Sequence, residues 1–309
     1  MDYTERLNDK QKEAVLTTEG PVLIVAGAGA GKTKTITHRI LHLIKKGVHP
    51  HNILAITFTN KAGKEMRERV EDLLFQDPLL RAQYHNAAPF ISTFHSLGVF
   101  IIKQWSDRLN LPRHFAIFDK TDSKKVLKKA LESLNVEPKE HLDKVASIIS
   151  REKGLGVSYD DFASRQSYDF SSDITARVWN IYESTLKKEK ALDFDDLLLK
   201  SLELLEKHTD IRAYYQNLWH YVHIDEYQDT NKVQNKIAEL ISEHHRNICV
   251  VGDVDQCLVA GTKIQMGDQT TKNIENVINE AIHAINMSAT SVYILSNGDG
   301  DCYRECLES

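Results

Sequence analysis

The chain of 309 residues is 41% hydrophobic and 27% charged, with a formal net charge of −5. Its length calls for two or three folding units rather than one, and its near-neutral balance excludes a bulk polyanion clamp while leaving room for local basic patches. No run of about 18 apolar residues occurs and the first six residues lack the apolar centre of a signal peptide, so neither a membrane span nor export is expected and the expected location is cytoplasmic.

Three of the four cysteines, Cys257, Cys302 and Cys306, fall in the last 53 residues, and that tail holds three basic against seven acidic side chains, net −4 of the −5. Cysteines in a reducing compartment do not read as a disulfide framework.

In chain order, residues 7–15 (LNDKQKEAV) form a short helix started near Asn8. Gln11 within it is an exposed helix residue or, beside a nucleotide site, a reader of adenine, because a side-chain amide offers one donor and one acceptor to N6 and N7. Val22, Leu23, Ile24 and Val25 then make a buried strand that runs into Ala26, Gly27, Ala28, Gly29, Ala30, Gly31, Lys32 and Thr33. Thr35, Ile36, His38, Ile40, Leu41 and Ile44 follow at helical spacing. Small residues let backbone N–H groups converge on phosphate oxygens, Lys32 adds a point charge at the outer phosphates, and Thr33 supplies a hydroxyl ligand for Mg2+. This is the pattern of a phosphate-binding loop; a plain Gly/Ala turn does not account for the Lys-Thr at its end.

Residues 53–61 (ILAITFTNK) are a second buried strand ending in polar residues and a ring, and residues 89–96 (PFISTFHS) repeat the design. In a doubly wound sheet ligands collect at the carboxyl ends of the strands, so both endings should face one crevice. Thr57, Phe58, Asn60, Thr93 and His95 suit a single-strand track, since phosphates accept hydrogen bonds and bases stack on rings. For each residue alone, Phe58 and Phe94 as core and Thr93 as a helix cap stand as an equal alternative.

Between residues 107 and 190 strand signals stop and amphipathic helices take over. Thr121 and Asp122 can cap one that buries Val126, Leu127, Ala130, Leu131 and Leu134, and Asp173 can cap another with Ile174, Val178, Ile181, Tyr182 and Leu186. The lysines of this insertion, such as Lys124, Lys125, Lys128 and Lys129, read as a solvated face. Asp193, Phe194, Asp195, Asp196 and Leu197 return the chain to the sheet. Residues 221–230 are an apolar strand ending in adjacent acids, where Asp225 can hold Mg2+ and Glu226 can polarise an attacking water. A fourth strand, residues 248–256, delivers Gln256 as a γ-phosphate sensor.

Taken together and in this order, these seven stretches resemble the UvrD/PcrA/Rep family of superfamily-1 DNA helicases over residues 1–256. The resemblance implies an α/β fold, a RecA-like P-loop core with a parallel sheet in two parts (1–106 and 191–256), and an inserted α-helical subdomain (107–190). It also implies ATP and Mg2+ as cofactors, 3′ to 5′ travel on single-stranded DNA, duplex unwinding, and catalytic roles for Lys32, Glu226 and Gln256. The family's loop looks like Ala-x-x-Gly-x-Gly-Lys-Thr, which covers Ala26; Val254 departs from it where an acid is usual.

After Gln256 that family would continue with Ser-Ile-Tyr, a Trp-Arg-Gly segment and a second RecA-like domain. The chain instead reads Cys257-Leu258-Val259-Ala260-Gly261-Thr262-Lys263-Ile264, an acidic turn, and Ile274-Glu275. This is similar to the opening of an intein, so residues 257–309 are expected to be a partial, β-rich, Hint-like segment with residues 291–303 as a hairpin about Asn297-Gly298-Asp299-Gly300. The Cys257 thiol can attack the Gln256 carbonyl to give a thioester; the family's Thr-x-x-His block and His-Asn ending are absent. The expectation is the ATP-binding part of a helicase, barely active by itself, joined to a complementary polypeptide by trans-splicing. The alternatives are a truncated nucleotide- and DNA-binding fragment without splicing, and a stand-alone P-loop ATPase.

Overall fold

A computed structural model describes residues 3–27, 29–84, 87–165, 170–253, 263–265, 271–273 and 291–295. Its strands, in chain order, are β1 (Val22–Ala26), β2 (Ile53–Thr57), β3 (Phe90–Thr93), β4 (Ala116–Phe118), β5 (Ala191–Asp193), β6 (Tyr221–Ile224), β7 (Ile248–Gly252), β8 (Lys263–Gln265), β9 (Thr271–Asn273) and β10 (Ser291–Leu295). The helices are α1 (Asp9–Leu16), α2 (Lys32–Lys45), α3 (Asn60–Phe75), α4 (Pro78–Gln83), α5 (Phe94–Gln104), α6 (Lys120–Ser133), α7 (Pro138–Gly154), α8 (Tyr159–Ser164), α9 (Phe170–Glu189), α10 (Phe194–Lys207), α11 (Thr209–Leu218) and α12 (Lys232–Ser242).

Two compact units divide the chain: residues 1–93, 213–230 and 238–309 form the first, and residues 94–212 with 231–237 the second. The first holds a six-stranded sheet in the order β10-β1-β7-β6-β2-β3, with every pair parallel. Parallel neighbours need crossovers, which helices supply, and the central strands are accordingly mostly apolar, with His223 of β6 and Thr57 of β2 as buried polar exceptions. All five residues of β2 are buried. So is every residue of α2 from Thr35 to Ile44, which marks it as a helix enclosed on all sides. Ile24, Ile36, Ile40, Ile53, Met66 and Val251 centre this core.

The second unit packs α6, α7 and α9 about Leu131, Val145, Val178, Trp179 and Tyr182. Asp119 caps α6 by accepting from the Thr121 and Asp122 amides, so the helix starts earlier than the Thr121-Asp122 expectation, at the first side chain able to reach those N–H groups. Likewise Asp173 lies inside the first turn of α9, not ahead of it. Strand signals do not vanish entirely here: β4 pairs parallel with β5, a contact between distant segments that no local pattern reveals. The unit runs from residue 94 to 212, beyond 107 and 190, because α5 packs on α10. A Cβ at Gly98 would stand 2.6 Å from the Leu197 carbonyl oxygen, so only glycine permits that approach.

In the tail, β8 and β9 pair antiparallel, Ile264 opposite Lys272. β10 is a strand as expected, but among the described residues its partner is β1, parallel, with Ile24 opposite Tyr293. Residues 296–303, the rest of the expected hairpin, lie outside the described residues. Among the described residues no helix is long and apolar enough to cross a membrane.

Candidate nucleotide site and nucleic-acid face

β1 ends at Ala26 and α2 begins at Lys32, so the loop between them must turn within five residues. Gly29 and Gly31 have φ of 76° and 83°, the left-handed region that glycine enters without a Cβ penalty. Gly31 is also the N-cap of α2, aiming the helix's unpaired N–H groups and positive dipole end at the loop. A Cβ there would come 2.7 Å from the Gln11 amide nitrogen. Gly27 and Ala30 belong to the same loop, with the Ala30 N–H donating to the Gly27 carbonyl at 3.2 Å; Ala28 lies outside the described residues.

Gln11 is buried, not an exposed helix residue. Its Oε1 accepts from the Asn8 N–H at 3.0 Å in a capping box, and its Nε2 donates to the Ala30 carbonyl at 2.9 Å. One N–H and one oxygen lone pair of that amide remain.

The ends of β6 and β7 bring the acids. Lys32 Nζ donates to Asp253 Oδ2 at 2.6 Å and stands 3.5 Å from Glu226 Oε2. Gln228 Nε2 donates to that same Glu226 oxygen at 2.8 Å, while Gln228 Oε1 accepts from the Asp253 N–H at 3.0 Å. Glu226 sits at φ 52°, ψ 48°, an uncommon backbone for a non-glycine residue of the kind found where side chains are aimed for function. Thr33 Oγ1 donates to Asp225 Oδ2 at 3.5 Å. Burial, and then the Glu226 charge beside it, push the Asp225 carboxyl up to about 6.

Chemically this is a helix N-terminus, one ammonium, one hydroxyl and three carboxylates, Asp225 and Glu226 after β6 and Asp253 after β7, at the carboxyl ends of neighbouring parallel strands. It suits an anion with a divalent counter-ion, and Thr33 and Asp225 are the residues that could hold such an ion. Among the described residues no group of three or more His, Cys, Asp or Glu could hold a metal unaided. Asp253 and Gln228 were not among the site residues expected from sequence. Asp253 carries a readable signal, since it follows buried β7 directly as Asp225 follows β6.

The polar endings of β2 and β3 lie side by side, Thr57 opposite Thr93. Both threonines are buried, and Thr57 Oγ1 donates to the Thr59 carbonyl. Phe58 is 56% exposed and Asn60 is exposed, whereas Phe94 is buried, which separates the two rings that sequence leaves equivalent. In the second unit His95 meets Phe194 edge-on with centroids 5.6 Å apart, and burial lowers its pKa below the ordinary histidine value. Gln256 and Cys257 lie outside the described residues.

Residues 7–260 match the family model described as the UvrD/REP helicase N-terminal domain. The chain belongs to that family. The ATP-dependent DNA helicase PcrA of Staphylococcus epidermidis (strain ATCC 35984) is 40% identical over 301 residues, covering 90% of this chain and 40% of that protein. PcrA of Staphylococcus aureus (strain Mu50) is 42% identical over 255 residues, covering 82% of this chain and 34% of that protein. The chain thus spans well under half the length of these curated relatives. A UvrD/REP N-terminal domain accounts for the parallel sheet and the loop joining β1 to α2.

Proposed function

We propose that the chain is the nucleotide-binding part of an ATP-dependent DNA helicase, holding Mg·ATP at the loop between β1 and α2 and single-stranded DNA along the endings of β2 and β3. The observation that carries it is the convergence of Lys32, Thr33, Asp225, Glu226 and Asp253 on one loop. With ATP as substrate, the loop amides and Lys32 take the outer phosphates and Lys32 exchanges Asp253 for them. Gln11 turns its remaining donor and acceptor to the base. Mg2+ bound by Thr33 and Asp225 would neutralise phosphate charge. Glu226 accepts the proton of the water that attacks the γ-phosphorus as the bond to the bridging oxygen breaks, giving ADP and phosphate. Gln256 is the γ-phosphate sensor in this reading. DNA contacts of the first unit fall to Phe58 as a stacking ring, to Asn60 as a polar group, and to the backbone about Thr57 and Thr93; His95 is a separate polar contact carried by the second unit. Unwinding and 3′ to 5′ travel belong to the longer protein. Lys32→Ala should lower fluorescent-ATP affinity at least tenfold in titration, on the order expected for losing a charge-assisted contact; unchanged affinity would sink the reading.

A second reading concerns residues 257–309 as intein-derived, with a complementary polypeptide as partner. It is supported by Cys257 at the junction, by Gly261-Thr262-Lys263-Ile264, and by the antiparallel pairing of β8 with β9. Set against it are β10 on the helicase sheet and an alignment reaching 90% of the chain, more than residues 1–256 can supply. In the reaction the Cys257 sulfur bonds to the Gln256 carbonyl carbon, the peptide C–N bond breaks, and the Cys257 amine takes the proton. Added thiol should then release a fragment ending at Gln256, detectable by mass spectrometry and lost in Cys257→Ala. Absence of the fragment from the unaltered chain removes the splicing reading.

A further inference from the structure

Arg39 is a charged side chain buried in the core of the first unit that the nucleotide chemistry leaves unused. It lies on α2 two turns beyond the phosphate-binding loop and is 1% exposed. Burying a guanidinium is costly unless a carboxylate compensates it. Among the described residues none does. Its partners are backbone carbonyls only: Nη1 donates to Ala14 at 2.7 Å and to Thr17, and Nη2 donates to Thr18 at 3.1 Å. Nε is buried and unbonded. These carbonyls are the last turn and exit of α1, where orphan acceptors and the negative dipole end collect. A planar guanidinium sets two nitrogens apart in a rigid fork that reaches all three carbonyls at fixed spacing, whereas an ammonium offers its donors from a single nitrogen.

The other end of α1 carries Gln11, whose Nε2 is fixed to the Ala30 carbonyl. So α1 is fastened to the nucleotide loop and its helix at two points: Gln11 on the loop itself and Arg39 on α2. We propose that Arg39 is a positioning residue for base recognition, setting the seat of α1 so that the Gln11 amide meets adenine while the phosphates are held by the loop. Arg39 does not touch nucleotide. The inference rests on the proposed reading of Gln11 as the adenine contact, and it predicts an effect on base choice separate from phosphate affinity.

The test is competition of ATP, GTP and inorganic tripolyphosphate against a fluorescent ATP analogue on the full 309-residue chain. The unaltered chain should prefer ATP over GTP by about tenfold, the scale of one well-placed hydrogen-bonded pair. Gln11→Ala should abolish the preference and leave tripolyphosphate affinity within about twofold. Arg39→Met should do the same, and the double variant should be no worse than either single one. Arg39→Met that keeps the ATP preference, or that loses ATP and tripolyphosphate affinity in equal proportion, overturns the proposal. Gln11→Ala that keeps the preference overturns the adenine reading instead. If Arg39→Met does not fold, Arg39→Lys, with one donor group in place of the fork, should show an intermediate preference; a full preference there likewise overturns the proposal.

Discussion

Lys153 shows at the residue scale how sequence position conceals chemistry. Its side chain is 1% exposed and its ammonium meets Asp193 at 2.9 Å, Asp196 at 2.7 Å and Glu183 at 3.0 Å, while the Tyr182 hydroxyl donates to Asp193. Three carboxylates share one cation. Burial drives Asp196 up to about 7, and the carboxylates hold Lys153 charged against its own burial. Asp193 and Asp196, which in the sequence look like members of a return to the sheet, are therefore tied up inside the helical unit. Lys153→Met should destabilise the chain by about 3–5 kcal/mol in urea unfolding, because it leaves uncompensated buried acids. A change below about 1 kcal/mol would mean the acids simply protonate at little cost.

At the scale of elements, local signals were strongest where burial and capping coincide. The α1 start at Asn8, the β1-to-α2 loop and the apolar runs of β2, β6 and β7 were legible, because β-branched runs and small-residue turns have few alternative conformations. The caps of α6 and α9 were misplaced by a few residues, since several Asp and Thr side chains in each stretch could serve and only the packed helix chooses among them. The α5–α10 contact was not legible at all. Gly98 reads as a weak helix residue until Leu197 is seen against it. Gly98→Ala should cost about 1–3 kcal/mol, despite the better helix propensity of alanine, through overpacking against backbone. Stability equal to or above the unaltered chain in thermal unfolding would remove the steric account.

For the molecule as a whole, burial lowers the pKa of His38 and His42, and drives His223 down to about 3. In the folded chain these rings take protons at lower pH than in the unfolded chain, where they titrate near the ordinary value of 6.5. Stability from this source is therefore complete above pH 6.5 and is lost as the pH falls through that value toward the folded pKa values. The thermal midpoint should drop between pH 7.5 and 5.5, and His42→Phe should shrink the drop; an unchanged pH dependence would show that His42 is accessible to protons in the folded state.

By itself the sequence determined the family, the glycine-bearing turn from β1 into α2 and the apolar strands ending in acids, because those depend on residue types that a local backbone conformation demands. Tertiary structure alone decided that Phe58 is exposed and Phe94 buried, that Gln228 bridges Glu226 to Asp253, that Arg39 fastens α1, and that β10 pairs with β1. Each of those is a contact between segments remote along the chain or a choice between two chemically similar side chains, and packing, not local propensity, sets its free energy.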